Sequence, residues 1–140
     1  MSDDNSVRSE IVNEWLDKAD ADLYSAEKML ELNWPYPSII AYHAQQAAEK
    51  YQKAFLIHKK REFPRTHNIE RLLSIIEEFD PETKDMLSNL VDLSQYATDT
   101  RYPGVFPEIR EEEVSNSVLL AKLSCRILTD IIDNETESKN

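Results

Sequence analysis

Residues 43–53 carry most of the side chains in this chain that are spaced for chemistry. Gln46, Lys50 and Lys53 recur at helical intervals of three and four, with His43 and Glu49 at the margins of the same stripe. Ammonium groups so arranged can hold phosphate, and an imidazole titrating near neutrality can move a proton. The structural alternative is that Lys50 and Lys53 form ion pairs with Glu49 or Asp99, while His43 and His67 are hydrogen-bonded packing residues. Downstream, Arg101 offers a forked donor to phosphate and Tyr102 a ring on which a base can stack. Their structural alternative is capping of helix carbonyls by Arg101 and packing of Tyr102. The three histidines, His43, His58 and His67, have no carboxylate-bridged spacing on adjacent helical turns, so neither a metal nor a cofactor is expected.

The stripe needs a helix to carry it, and Ile39 to Leu56 contains neither Gly nor Pro and is rich in Ala, Gln, Glu, Lys and Leu. Ile40, Ala44, Ala47, Tyr51 and Ala54 mark its core face, where small residues let a neighbouring helix come close. A first helix is expected from about Val12 to Leu32, with Leu16, Ala19, Leu23, Ala26 and Leu30 inward and Trp15 beside them. The Asn33–Pro37 stretch ends it. A third helix follows Thr66, its expected N-cap, and buries Ile69, Leu72, Leu73 and Ile76. Asp80 and Pro81 open a fourth that runs to about Thr98, with Met86, Leu90, Leu93 and Ala97 inward. Residues 99–107 hold two prolines and the chain's one glycine and must be a loop. The last helix runs from Glu108 to about Asp133 on Val118, Ala121, Cys125, Leu128 and Ile132. The expected fold is all-α, a five-helix up-and-down antiparallel bundle forming one domain over residues 10–133, with flexible tails at 1–9 and 134–140.

Composition narrows the function classes. One glycine argues against sheets joined by tight turns, and one cysteine excludes an intrachain disulfide, which fits the cytoplasm. No apolar run is long enough to span a bilayer, and the acidic start is unlike a targeting segment, so a soluble protein without a membrane partner is expected. The net charge of −11 opposes general attraction to nucleic acid, yet Lys50 to Arg71 holds seven basic residues against Glu62 and Glu70. That window is +5 and the remainder −16.

The ordered set His43-Ala44-Gln45-Gln46-Ala47-Ala48-Glu49-Lys50, Lys53-Ala54, Thr66-His67-Asn68-Ile69, Leu72-Leu73 and Arg101-Tyr102-Pro103 resembles the HEPN domain (higher eukaryotes and prokaryotes nucleotide-binding) from about Trp15 to Asp133. The resemblance implies a helical bundle, usually a homodimer, that binds nucleotides or RNA beside a minimal nucleotidyltransferase partner in a toxin–antitoxin-like pair. For such a ligand the expected mechanism is electrostatic, with Lys50, Lys53 and Arg101 holding phosphate, Tyr102 contacting the base or walling the pocket, and His43, Gln46, Glu49, His67 and Asp99 in support. Family members that cleave RNA carry Arg, four to six residues and His near the last helices. No histidine follows Arg101 here. Arg61 and His67 match the spacing, but in the loop between the second and third helices. A non-enzymatic binding module is therefore the leading expectation. The alternatives are a metal-independent endoribonuclease and a purely structural dimerisation module.

Overall fold

In a computed structural model describing residues 2–97 and 109–138, the second helix is the element on which the others pack. The elements are α1 (Ser2–Glu31), α2 (Pro37–His58), α3 (Ile69–Phe79), α4 (Pro81–Met86), a 3-10 helix (Ser88–Tyr96) and α5 (Glu111–Ser138). Fourteen of the 22 residues of α2 are buried, which makes it the centre of the bundle rather than a half-exposed wall. The expected core face is seen: Ile40, Ala44, Ala47, Tyr51 and Ala54 are all buried. Tyr51 donates its hydroxyl to Asp20 on α1. Burial pushes that phenol far above its ordinary value and the bond to Asp20 adds to the shift, so it remains a donor.

Contacts fix the directions. Trp15 lies against Lys53 and Asp22 against His43, so α1 and α2 are antiparallel. Lys122 of α5 approaches Glu27 of α1, while Glu135 meets His58, so α5 opposes α1 and runs with α2. Residues 59–68 fold back along α2: His67 touches Glu49, and Phe79 at the other end of α3 stacks on Phe55 with ring centroids 6.0 Å apart. Among the described residues the bundle is all-helical, as expected, with six elements in place of five.

Local chemistry explains the boundaries. Both α1 and α2 end in a Schellman motif with a non-glycine residue in the left-handed region, Asn33 at φ 52° and Lys60 at φ 61°. Trp34 N–H reaches Met29 O at 2.9 Å and Asn33 N–H reaches Leu30 O at 3.1 Å. The corresponding bonds at the second site run from Arg61 N–H to Leu56 O at 2.8 Å and from Lys60 N–H to Ile57 O at 3.0 Å. The N-cap of α3 is Asn68 rather than Thr66: Asn68 Oδ1 accepts from Arg71 N–H, and Thr66 Oγ1 accepts from Asn68 N–H. Helix α1 begins ten residues before the expected Val12, at Ser2, and α5 continues past Asp133 to Ser138.

The fourth expected helix is two elements. Leu87, Leu90, Leu93 and Tyr96 are all buried, and their interval of three is the period of a 3-10 helix, in which such residues eclipse on one face. The α-helical stripe expected there is corrected accordingly: Met86 is 51% exposed and Leu87 takes its place inside. The aromatics Trp34 and Tyr36 are exposed as well and pack edge to face on each other in the α1–α2 connection.

The Asp80 cap is as expected, its carboxylate accepting from Thr83 N–H at 3.1 Å and from Thr83 Oγ1 at 2.6 Å. Asp80→Ala removes both bonds and should lower stability by about 1 kcal/mol. Urea unfolding with an unchanged midpoint would contradict that role.

Candidate functional site

Long polar side chains on a buried helix must find partners or leave the interior charged and unsatisfied. On α2 they form one connected chain of bonds. Asp22, from α1, accepts from His43 Nδ1 at 2.8 Å and from Lys50 Nζ. Lys50 also donates to Gln46 Oε1 at 3.3 Å, and Gln46 Nε2 donates to Gln45 Oε1 at 2.7 Å. Gln45 Nε2 in turn donates to His67 O at 3.2 Å and more distantly to Glu49 Oε1. Glu49 Oε1 meets His67 Nδ1 at 2.9 Å, while its Oε2 accepts from Lys53 Nζ at 3.2 Å. The Lys53 ammonium lies 5.4 Å from the centroid of the Trp15 ring, within cation–π range.

The stripe read as a polar edge is therefore largely interior. Gln45, Gln46, Glu49 and Lys53 are buried, and only His43, Lys50 and His67 reach solvent to any extent. Lys53 is closed off by Glu49 and Trp15. Lys50, with 19% of its side chain exposed, sits at the rim, its charge answered by Asp22. Asp99, Arg101 and Tyr102 lie outside the described residues.

Two histidines share one geometry. An ionised carboxylate only accepts, so both His43 and His67 carry the proton on Nδ1 and turn Nε2 away from the carboxylate. The His67 side chain is 71% exposed with a buried Glu49 behind it, an arrangement that orients an imidazole for proton transfer. Burial pushes the Asp22 carboxyl up, but hydrogen bonds from His43 and Lys50 outweigh it and hold the group below its ordinary value.

Beyond His67 the charge is less well answered. Arg61, Arg65 and Arg71 are exposed and make no carboxylate pair among the described residues. Arg61 lies 4.5 Å from the centroid of the Phe79 ring, and Arg71 Nη1 contacts Ser74 Oγ at 3.4 Å. At the end of the bundle Glu135 accepts from His58 Nε2 at 2.8 Å and from Lys59. Burial raises that carboxyl and the two hydrogen bonds bring it below its ordinary value. The described residues contain no group of three or more His, Cys, Asp or Glu placed to hold a metal ion, and no helix among them is long and apolar enough to cross a membrane.

Asp22 and Gln45 were missed as site residues. Gln45, Glu49 and Lys53 form an i, i+4, i+8 ladder visible in the sequence, whereas Asp22 becomes a partner only once α1 and α2 are in register.

The HEPN domain family model matches residues 12–130. Among solved structures, TT1696 from Thermus thermophilus superposes with a TM-score of 0.67 at 22% identity, covering 85% of this chain and 96% of that one. ST0689, an archaeal HEPN homologue, gives a TM-score of 0.66 at 24% identity, covering 86% of this chain and 97% of that one. No curated protein matches.

The Asp22 cluster sets a pH dependence. Its folded-state pKa lies below the ordinary 3.8, so its contribution to stability is complete above about that pH and is lost as pH falls through the lowered value. In Asp22→Asn the acid limb of stability below pH ~4 should be shallower than in the wild type. Identical acid limbs in melts between pH 2 and 6 would show that Asp22 does not couple to folding.

Proposed function

Because the chain belongs to the HEPN domain family, we propose that it is a non-enzymatic module, a homodimer that binds a nucleotide or an RNA element. The observation that supports this reading is the basic stretch from the loop into α3: Arg61 and Arg65 in the loop and Arg71 on α3 reach solvent without carboxylate partners among the described residues, in an otherwise acidic chain. Guanidinium groups suit phosphate because their forked donors match its oxygens. Arg101 and Tyr102 complete the ligand set in this reading, Arg101 on phosphate and Tyr102 against a base. Lys50 contributes from the rim, while Lys53 positions Glu49 and so His67. A minimal nucleotidyltransferase partner, a toxin–antitoxin-like pairing and a cytoplasmic setting rest on family membership and composition alone.

The test is binding of a short single-stranded RNA and of mononucleotides across salt concentrations, comparing the wild type with Arg101→Ala and with Arg65→Ala combined with Arg71→Ala. If Arg65 and Arg71 each neutralise a phosphate, the double variant should reduce the logarithmic salt slope by about 1.4. Arg101→Ala should weaken binding further. Absence of saturable binding to either ligand would leave the structural dimerisation module standing.

The His67–Glu49 pair favours a second reading, a metal-independent endoribonuclease. The imidazole Nε2 would be the proton-transfer atom and Arg61, six positions earlier in the sequence, a phosphate contact. Cleavage of RNA in the presence of chelator, abolished by His67→Ala, is its expected result. An equal cleavage rate in that variant would rule His67 out.

A further inference from the structure

A second region of uncompensated charge adjoins the start of the basic stretch, where Lys60 precedes Arg61. The first turns of α1, the end of α2 and the end of α5 enclose a cleft of about 370 Å³, a volume in the range of small-molecule sites. Its apolar lining is Val12 and Ile132, both nearly fully buried. Arg8, Lys60, His58 and Asp133 supply its titratable groups. Arg8 donates through Nη1 to Asn5 Oδ1 at 2.8 Å, and neither Arg8 nor Lys60 has a carboxylate partner among the described residues. The neighbouring Glu135 does not oppose an anion strongly, because Lys59 and His58 already hold its two oxygens. Asp133 alone stands against two cations.

Lys60 provides an independent argument. It occupies the left-handed position of a Schellman motif at φ 61°, where glycine fits without penalty and a Cβ crowds the following carbonyl. A strained non-glycine residue lining a cleft points to a use for its side chain. That side chain lines both this cleft and the smaller depression formed with Lys59, Glu135 and Ser138.

We propose that this cleft binds a small organic phosphate, with the phosphate between Arg8 and Lys60 and the organic body filling the rest of the cleft. Ser9 and Asn13 on the same wall supply neutral donors to the remaining oxygens. The cleft's volume of about 370 Å³, well beyond what a phosphate group fills, is the reason for an organic ester rather than free phosphate. The proposal does not depend on Arg61, Arg65 or Arg71 and holds or fails separately from their role.

Calorimetric titration of the full chain with phenyl phosphate and with inorganic phosphate tests it. Phenyl phosphate should bind saturably at one site per chain and more tightly than inorganic phosphate. Arg8→Ala and Lys60→Gly should each weaken it by about tenfold or more, a loss of one cation contact. Asp133→Asn should tighten it. Lys60→Gly also relieves the left-handed strain, so its melting temperature should rise while binding falls, which separates ligand loss from misfolding. The proposal is overturned if the wild type shows no saturable binding, if Lys60→Gly binds as well as the wild type, or if inorganic phosphate binds as tightly as the ester. Loss of phenyl phosphate binding in the variant lacking Arg65 and Arg71 would assign the ligand to those arginines and overturn the cleft.

Discussion

A carboxylate in the middle of a helical bundle is the constraint around which this fold is arranged. Glu49 is 1% exposed, and taking such a charge out of water costs several kcal/mol unless its oxygens are answered. They are answered from two directions. Lys53, one turn on, brings a cation that is itself covered by Trp15 of α1. His67, from the connection to α3, supplies an N–H on the other oxygen, and Gln45 ties the His67 carbonyl to the same helix. The loop after α2 is thereby drawn back along the helix that it leaves. Removing any one partner would leave a buried charge short of bonds, which is why the cluster joins three elements more firmly than the exposed ion pair Lys28–Glu31 joins two turns of one helix.

The alanines of α2 make this arrangement possible. Ala44, Ala47 and Ala54 are fully buried and present little more than backbone to their neighbours, so α1 and α5 can approach closely enough for short side chains such as Asp22 and Asp20 to reach across. Close packing and polar chemistry thus occupy one helix without conflict. Small residues set the distance, and long ones on the adjoining stripe use it. With larger residues at the alanine positions, the contacts of Asp22 with His43 and Lys50 would be out of reach.

How much of this was legible depended on whether a feature is local. The helix over residues 39–56, its alanine face, the Asp80 cap and the stripe of α3 follow from propensity and period, and they appear in the structure. The 3-10 segment was also written in the sequence, since Leu87, Leu90, Leu93 and Tyr96 repeat by three, but an α-helical period selects Met86 and Ala97 instead. What could not be read was tertiary. A stripe of Gln, Glu and Lys looks solvated until the fold-back of residues 59–68 and the ring of Trp15 cover it. The left-handed Asn33 is a usual helix stop, whereas Lys60 in the same role carries no signal of its own. Of the site residues, the α2 set is brought together as a bonded network, and Asp99, Arg101 and Tyr102 are beyond the described residues.

Sorting the cations by burial gives the functional reading its physical basis. Those in the interior or at its rim, Lys50, Lys53 and Lys59, are paired with Asp22, Glu49 and Glu135. Arg8, Lys18, Lys60, Arg61, Arg65, Arg71 and Arg126 are left without such partners among the described residues, and all but Lys18 and Arg126 fall in the cleft or in the stretch from Lys60 to Arg71. Stability accounts for the first group, since a buried cation needs its carboxylate. It gives no reason for the second, because in a chain of net charge −11 carboxylates are plentiful and pairing would have been easy. At physiological ionic strength charges separated by more than about 8 Å are largely screened, so the acidic remainder of the surface does not cancel these patches at contact range. It does repel a polyanion approaching the molecule as a whole. Such a surface admits a short or small phosphate ligand that meets only the local field, and disfavours long nucleic acid that must cross the acidic ground around it.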